Sequence, residues 1–336
     1  MFLPAHSSTG LKQCYTRSLD TLFYNYASDE AENKGRCVYK GYERYFLPAL
    51  YSLFFVVGFF GNALVVWVIT VGAQLKSTTD VCLLNLALAD ILLVLSLPFQ
   101  AYQMKHDWIF GDVMCTLIFG IYSVGFYGSI FIIVLMSIDR VRTRVCGIVS
   151  SMVIWVLAVA ASFPELLFIR VKKTHTEEHC VAYLNDWGLD MFSIFKMNIV
   201  GLLVPLIIVG FCYSMILRKL HGSHSSKKHS ICLIILVMVV FFCCWTPYNI
   251  AYLLAVLLFM GVIPRECEIL KGIILTLNTT RAVVYLHCCL NPFIYIFVGE
   301  KFRKHLIRLI RARLLIQKQC VRLVEENMPR CMKKTL

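Results

Sequence analysis

Residues 81–104 read VCLLNLALADILLVLSLPFQAYQM. As a helix this stretch rises about 36 Å at about 1.5 Å per residue, enough to cross a hydrocarbon core about 30 Å thick. Two of its residues do not suit a helix that merely fills lipid. Asp90 carries a charge that costs a few kcal/mol at membrane depth, and Pro98 lacks the backbone N–H that an unbroken helix needs. Both are tolerated where neighbouring helices supply the missing partners. The stretch therefore predicts one member of a membrane bundle, and its neighbours must be found elsewhere in the chain.

Six further apolar runs of spanning length lie on either side: Phe46–Val71, Val113–Ile138, Val145–Ile169, Met191–Leu217, Ile231–Ile263 and Ile273–Val298. With Val81–Met104 they make seven. Pro98, Pro164, Pro205, Pro247 and Pro292 fall inside these runs and predict kinks. The composition agrees: of 336 residues, 59% are apolar and 16% charged, where soluble domains hold roughly 45–50% and about 25%. A soluble enzyme, a disordered regulator and a fibre are excluded. The expected fold is an all-α membrane protein, a seven-transmembrane helix bundle followed by a short amphipathic helix. Residues 1–45 form an N-terminal tail, 46–298 the bundle, and 299–336 the amphipathic helix and tail.

The net charge of +13 acquires meaning from its placement. With the N-terminus outside, nineteen of the 33 Lys and Arg residues fall on the inner side: Lys76, Arg140, Arg142, Arg144, Arg218, Lys219, Lys227, Lys228 and eleven from Lys301 to Lys334. The positive-inside rule then places the N-terminal tail outside and the C-terminus in the cytoplasm. The first 45 residues lack the basic start, apolar core and small-residue cleavage site of a signal peptide and are read as a retained tail. No zinc finger, aromatic-interleaved basic patch or phosphate loop accompanies the charge, so no nucleic-acid partner and no cofactor are expected. Neither HExxH nor GxSxG occurs, and the chain is not read as an enzyme. A transporter or channel is weighed and set aside, because no internal repeat and no continuous ionisable path are found. His287-Cys288-Cys289 has a metal-site composition, but adjacent helical residues point apart, and packing is the preferred reading. His221, His224 and His229 read as part of a solvated basic loop.

The polar residues within the runs carry the functional signal. Asp90, Asn62 and Asn291 could meet in one buried cluster holding water or a cation such as sodium; static interhelical hydrogen bonding is the alternative. Asp139-Arg140 closes the third run, Cys244-Trp245-Thr246-Pro247 lies in the sixth, and Asn291-Pro292-Phe293-Ile294-Tyr295 in the seventh. Each proline frees a carbonyl one turn earlier, giving a hinge beside a bulky aromatic. Together with Gly61-Asn62, Cys115, Trp155, Pro205 and Tyr213, these motifs resemble, in order and across all seven runs, the rhodopsin-like (class A) G-protein-coupled receptors. Ser96-Leu97-Pro98-Phe99, Trp108-Ile109-Phe110-Gly111, Trp245 to Ile250, and the string from His287 through Lys304 narrow the resemblance to chemokine receptors of the CC type.

That resemblance implies a chemokine-binding receptor at the plasma membrane that signals through an inhibitory-class heterotrimeric G protein, driving calcium release and chemotaxis in the immune response. It implies disulfides Cys115–Cys180 and Cys37–Cys267, with Cys14 left over. Ligand-binding residues would be Tyr24 and Tyr26 in the acidic Asp20–Glu32 stretch of the tail, and Tyr51, Gln100, Tyr122, Trp245 and Tyr248 in the pocket. The switch would comprise Asp90, Asp139, Arg140, Tyr213, Trp245, Pro247, Asn291, Pro292 and Tyr295. Partners would be a small basic chemokine, the G protein and membrane lipids, with homo- or hetero-oligomers left open. Cys320 and Cys331 read equally as acylation sites and as unmodified thiols.

Three departures qualify the resemblance. The acidic residue of the family's seventh span is here Arg281, which implies a different ligand terminus or an internal partner such as Glu165 or Asp190. Val141 follows Asp139-Arg140 in place of Tyr, and only fourteen residues separate Arg140 from Trp155, about a dozen fewer than in the family. This shortens a main G-protein contact. It points either to an atypical scavenger or decoy receptor with weak coupling, or to an aberrant splice form or gene prediction. After Glu300 the only hydroxyl side chain is Thr335, so phosphate-driven arrestin recruitment through the tail should be weak.

Overall fold

The computed structural model describes residues 43–73, 77–138, 144–167, 169–173, 178–182, 195–220, 228–260, 262–264 and 266–327. Seven helices in it are long and apolar enough to cross a membrane: Tyr45–Gly72, Thr78–Gln103, Gly111–Ile138, Cys146–Pro164, Phe195–Met215, Cys232–Leu258 and Glu268–Phe297. They are numbered here as spans one to seven. Large apolar side chains such as Phe60, Val113, Val156, Phe211 and Phe297 remain exposed, as expected of surfaces solvated by lipid tails.

Proline chemistry shapes several spans. Span two breaks at Ser96 into helices Thr78–Leu95 and Leu97–Gln103, with Pro98 in the first turn of the second piece, where its missing N–H costs little. Ahead of Pro205 the chain relaxes into a π-helical turn over Ile199–Leu203. Pro164, Pro247 and Pro292 sit inside continuous helices. Close contact between spans two and three depends on Gly125, where an added Cβ would lie 2.9 Å from the Ala89 carbonyl oxygen and 3.0 Å from the Leu93 nitrogen.

The helical bundle is as expected, and one short β element joins it. Ile169–Lys173 (β1) and Glu178–Ala182 (β2) form an antiparallel hairpin in which Ile169 pairs with Ala182 and Val171 with Cys180. The fourth helix accordingly ends at Leu166, and Ile169, expected as its last residue, is the first of a strand. The side chain of Ile169 is fully buried with Trp108, Cys115 and Ile118, so its apolarity serves a small core under the hairpin.

Several helices outrun their apolar limits, span seven and the C-terminal helix most clearly. Span seven starts at Cys267, six residues before the expected Ile273, because helical hydrogen bonding continues beyond the lipid-like run; its first turns carry an exposed Lys271–Glu268 pair at 3.0 Å. The C-terminal helix is not short. It runs 28 residues, Glu300–Asn327. Phe302 is buried, Leu306 and Leu309 pack on the bundle, and the Arg313 guanidinium lies 5.7 Å from the Trp67 ring centroid.

Substituting Gly125→Val should lower the Tm of the purified protein, in keeping with an overpacking cost of about 1–3 kcal/mol. Gly210→Ala is the matched control, since a Cβ there meets nothing within 4 Å. Equal thermal stability of the two variants would remove Gly125 from the span two to span three contact.

Candidate functional site

At the end of the bundle that carries the hairpin, the break at Ser96 turns Gln100 toward the interior. Ser96 Oγ donates to the Leu93 carbonyl at 2.7 Å and accepts from Gln100 Nε2 at 3.1 Å. The Gln100 amide then meets the Tyr285 hydroxyl twice, donating through Nε2 at 2.8 Å and accepting through Oε1 at 3.0 Å. Tyr285 collects two of the expected pocket aromatics: the ring of Tyr51 lies edge-on at 5.5 Å and that of Tyr122 at 6.2 Å. Spans one, two, three and seven thus converge on one tyrosine. Arg281 is half-buried one helical turn before Tyr285, while the side chain of Glu165 and all of Asp190 lie outside the described residues.

A second aromatic group surrounds Trp245, which is fully buried. Its ring lies 4.3 Å from Phe126, 5.8 Å from Phe241, 5.9 Å from His287 and 6.2 Å from Tyr248. Pro247, two residues on, lies inside the same continuous helix and removes one of its backbone donors beside this stack. Span five contributes Lys196, whose ammonium donates to the Ala161 carbonyl of span four at 2.6 Å and sits 5.1 Å from the Tyr127 ring centroid.

Deeper in the bundle, Asp90 accepts from Asn291 Nδ2 at 2.7 Å through Oδ2, and its Oδ1 lies 3.5 Å from His287 Nε2. Asn62 joins the same region by backbone contacts, donating from Nδ2 to the Gly58 and Cys288 carbonyls at 2.9 Å each. Asp90, Asn291 and His287 are thus in contact, and Asn62 reaches the same stretch of span seven through the Cys288 carbonyl. Tyr295 is fully buried with its ring 6.1 Å from Phe302 of the C-terminal helix, and Tyr213 is half-buried against the core. Asp139 and Arg140 lie outside the described residues. On the other side of these residues, span four packs on span two: Trp155 Nε1 donates to Asn85 Oδ1 at 2.8 Å, and Asn85 Nδ2 donates to Ser151 Oγ at 3.2 Å.

The hairpin is fixed over this end of the bundle. Cys115, at the start of span three, is disulfide-bonded to Cys180 of β2. Asp112 accepts from the Val171 N–H at 2.7 Å, and the Trp108 N–H donates to the Glu178 carbonyl at 2.7 Å. Trp108 Nε1 also donates to the Gly111 carbonyl at 2.9 Å. Gly111 takes φ +74°, a left-handed conformation suited to glycine, so the Trp108 to Gly111 motif is the joint between spans two and three. Cys14, Tyr24, Tyr26 and Cys37 lie outside the described residues, as do Cys331 and the side chains of Cys267 and Cys320.

Sequence reasoning passed over Tyr285, Ser96 and Lys196 as site residues. Tyr285 had a visible signal, a hydroxyl in an apolar run one turn from Arg281. Ser96 stands two residues before Pro98, where a side-chain hydroxyl can occupy backbone groups at a helix break.

Comparison with known proteins gives a consistent result. The 7 transmembrane receptor (rhodopsin family) matches residues 61–295. The C-C chemokine receptor type 4 of Homo sapiens is 41% identical over 287 residues, covering 81% of this chain and 79% of that protein. The human C-C chemokine receptor type 1 is 39% identical over 290 residues, covering 80% and 81%. The human C-C chemokine receptor type 8 is 39% identical over 289 residues, covering 82% and 79%.

The Gln100–Tyr285 contact should behave as a coupled pair. In a double-mutant cycle of Gln100→Leu and Tyr285→Phe, each single change leaves a buried polar group without its partner, so the double variant should be more stable than additivity allows. A coupling of about 0.5–3 kcal/mol in thermal or denaturant unfolding is expected. Strict additivity would show that the two side chains act independently.

Proposed function

The chain belongs to the rhodopsin family of seven-transmembrane receptors and, within it, to the CC chemokine receptors, which are not enzymes; from that premise we propose a plasma-membrane receptor that binds a basic chemokine and signals through an inhibitory-class G protein. In this reading the N-terminus is outside, the C-terminus cytoplasmic, and the outcome of signalling is calcium release and chemotaxis. The observation that carries it is the convergence of Tyr51, Gln100 and Tyr122 on Tyr285, which shares its helix with Pro292, at the end of the bundle that carries a disulfide-fixed hairpin.

Binding would proceed in two stages. Asp20, Asp29, Glu30 and Glu32, with Tyr24 and Tyr26 among them, give the tail a negative stretch that steers a basic protein toward the receptor. A Cys37–Cys267 bridge would hold that tail beside the start of span seven. The ligand's own terminus then reaches Tyr51, Gln100, Tyr122, Trp245, Tyr248 and Arg281. A ligand that prefers one arrangement of these side chains shifts an existing equilibrium, swinging span six about Pro247 and rearranging Arg140, Tyr213 and Tyr295 to admit a G-protein helix.

The second reading, a scavenger with weak coupling, rests on the sequence, where only fourteen residues separate Arg140 from Trp155. The Trp155–Asn85 bond argues that the shortening falls on the connection and spares the packing of span four. The basic stripe of the C-terminal helix would lie against the anionic inner leaflet.

One cell assay separates the readings: binding of a labelled chemokine panel, followed by inhibition of cyclic AMP formation and calcium release in the same cells. Saturable binding with both responses is expected. Binding without either response, at normal surface expression, overturns the signalling reading, and lengthening the connection after Arg140 should then restore coupling.

Arg281→Glu should change ligand rank order in the panel by tenfold or more, while surface expression is retained. An unchanged rank order would assign Arg281 to an internal structural role.

A further inference from the structure

The C-terminal helix Glu300–Asn327 is held to the bundle by its first half. Phe302 is buried, Leu306 and Leu309 pack on the core, and Gly72 of span one lacks a side chain where a Cβ would stand 3.1 Å from Leu309. Arg313 reaches the Trp67 ring. Elsewhere on its circumference five large apolar side chains are exposed: Ile307, Ile310, Leu314, Leu315 and Ile316. Seven Lys and Arg residues from Lys301 to Lys318 are interleaved with them, all exposed, and no acidic residue occurs from Lys301 to Val324.

Ile307, Ile310 and Leu314 stand at i, i+3 and i+7, the anchor spacing of a helix laid in an apolar groove. A flat leaflet would serve that stripe equally well, but it does not serve the two residues that follow. Successive side chains on a helix are about 100° apart, so Leu314, Leu315 and Ile316 sweep about 200° of its circumference. Leu315 also continues the row Lys304, Arg308, Arg311 at intervals of four, three and four, which places it on the charged side that a helix lying in the interface turns toward water. It is 63% exposed, with Leu314 at 52% and Ile316 at 59%. Apolar residues spread so widely need a partner that closes around the helix, and the surrounding cations need that partner to be acidic. We infer that Ile307–Ile316 is a docking site for an acidic helix-binding protein of the calcium-sensor class, whose methionine-lined grooves open when calcium binds.

Only the source of the calcium rests on the function proposed above: in a receptor that releases calcium, the ion that loads the sensor is the receptor's own output. Before calcium rises, the same cations hold the segment on anionic lipid. Sensor and leaflet compete for one stripe, and the sensor covers Leu315 and the basic row in addition, which lifts the segment from the membrane. Phe302, Leu306 and Leu309 pack on the bundle, so the first turns keep their place while the sensor takes up the residues beyond.

The test uses the full chain reconstituted in nanodiscs, with fluorescently labelled calmodulin as the probe. In phosphatidylcholine discs, calmodulin should bind saturably in calcium and dissociate on chelation with EGTA. Leu314→Ser, Leu315→Ser and Ile316→Ser together should weaken binding at least tenfold at unchanged Tm, and so should Arg308→Gln with Arg311→Gln. Should the triple variant lower the Tm, the arginine pair decides. Adding phosphatidylserine to the discs should raise the calmodulin concentration required without abolishing binding. Absence of calcium-dependent binding in the neutral discs overturns the proposal, as does undiminished binding by either folded variant. Loss of binding in the anionic discs overturns it too, and assigns the segment to the leaflet. The purified chain needs neither chemokine nor G protein for this measurement, so failure here leaves the signalling reading untouched, and failure of the cell assay leaves this site untouched.

Discussion

Pro292 cannot donate a hydrogen bond to the carbonyl of Cys288, four residues earlier, and in a bundle core no bulk water is available to replace it. Asn62 supplies the donor, at 2.9 Å, from span one. Much of the interior is built around that substitution. The residue before Asn62 is Gly61, where an added Cβ would stand 3.0 Å from Pro292 Cγ, so the absence of a side chain lets the proline ring approach. With the kink fixed against span one, Asn291 reaches Asp90, and Tyr295 turns inward to meet Phe302 at the start of the C-terminal helix. An Ala at position 62 would leave a buried carbonyl with no donor, an orphan costing about 1–3 kcal/mol.

The other prolines are accommodated differently, and the difference bears on which kinks can move. Pro98 sits just after a helix break whose loose ends are tied by the Ser96 hydroxyl. Ahead of Pro205 the backbone widens into a π-helical turn, and Phe126 fills the space opposite Gly201, where a Cβ would come within 2.9 Å of its ring. Both solutions consume the freedom that the proline creates. At Pro247 the neighbouring side chain Asn249 donates to the Trp245 carbonyl at 2.9 Å, a bond within the same helix that can travel with it. Span six therefore keeps a proline whose neighbouring bond lies within its own helix, beside a stack of aromatic rings.

The spans and the order of their motifs were legible because lipid imposes a length and a hydropathy that soluble helices do not share. The ends of elements were less legible. Hydropathy marks where lipid solvation begins, and neither the polar first turns of span seven nor the second half of the C-terminal helix depend on lipid. Ile169 looked like helix for the same reason, since an apolar residue in a lipid-facing run and one buried beneath a hairpin have the same hydropathy. Within the site, Asp90, Asn62 and Asn291 stood out as polar residues at forbidden depth. That His287 belongs with Asp90 depends on the register between helices 197 residues apart in sequence, which no local pattern encodes. The tail residues Tyr24, Tyr26 and Cys37, and Asp139 and Arg140, fall outside the described residues, so their part in the site rests on sequence alone.

Span seven is where the two polar regions become one device. Arg281, Tyr285, Cys288, Asn291 and Tyr295 follow one another at intervals of four, three, three and four residues, the spacing of a single helical stripe. Its outer part meets Gln100 and Tyr51 through Tyr285, and its inner members Asn291 and Tyr295 meet Asp90 and Phe302. A stripe on a rigid helix cannot rotate at one end alone. If a ligand displaces Tyr285 from Gln100, either the whole stripe turns, which strains the Asn291–Asp90 bond, or the helix bends at Pro292, which strains the Asn62 bond to Cys288. Both strained bonds lie in the polar core, so the core sets the resistance against which any ligand must work. In the proposed receptor, control would then rest on residues the ligand does not touch.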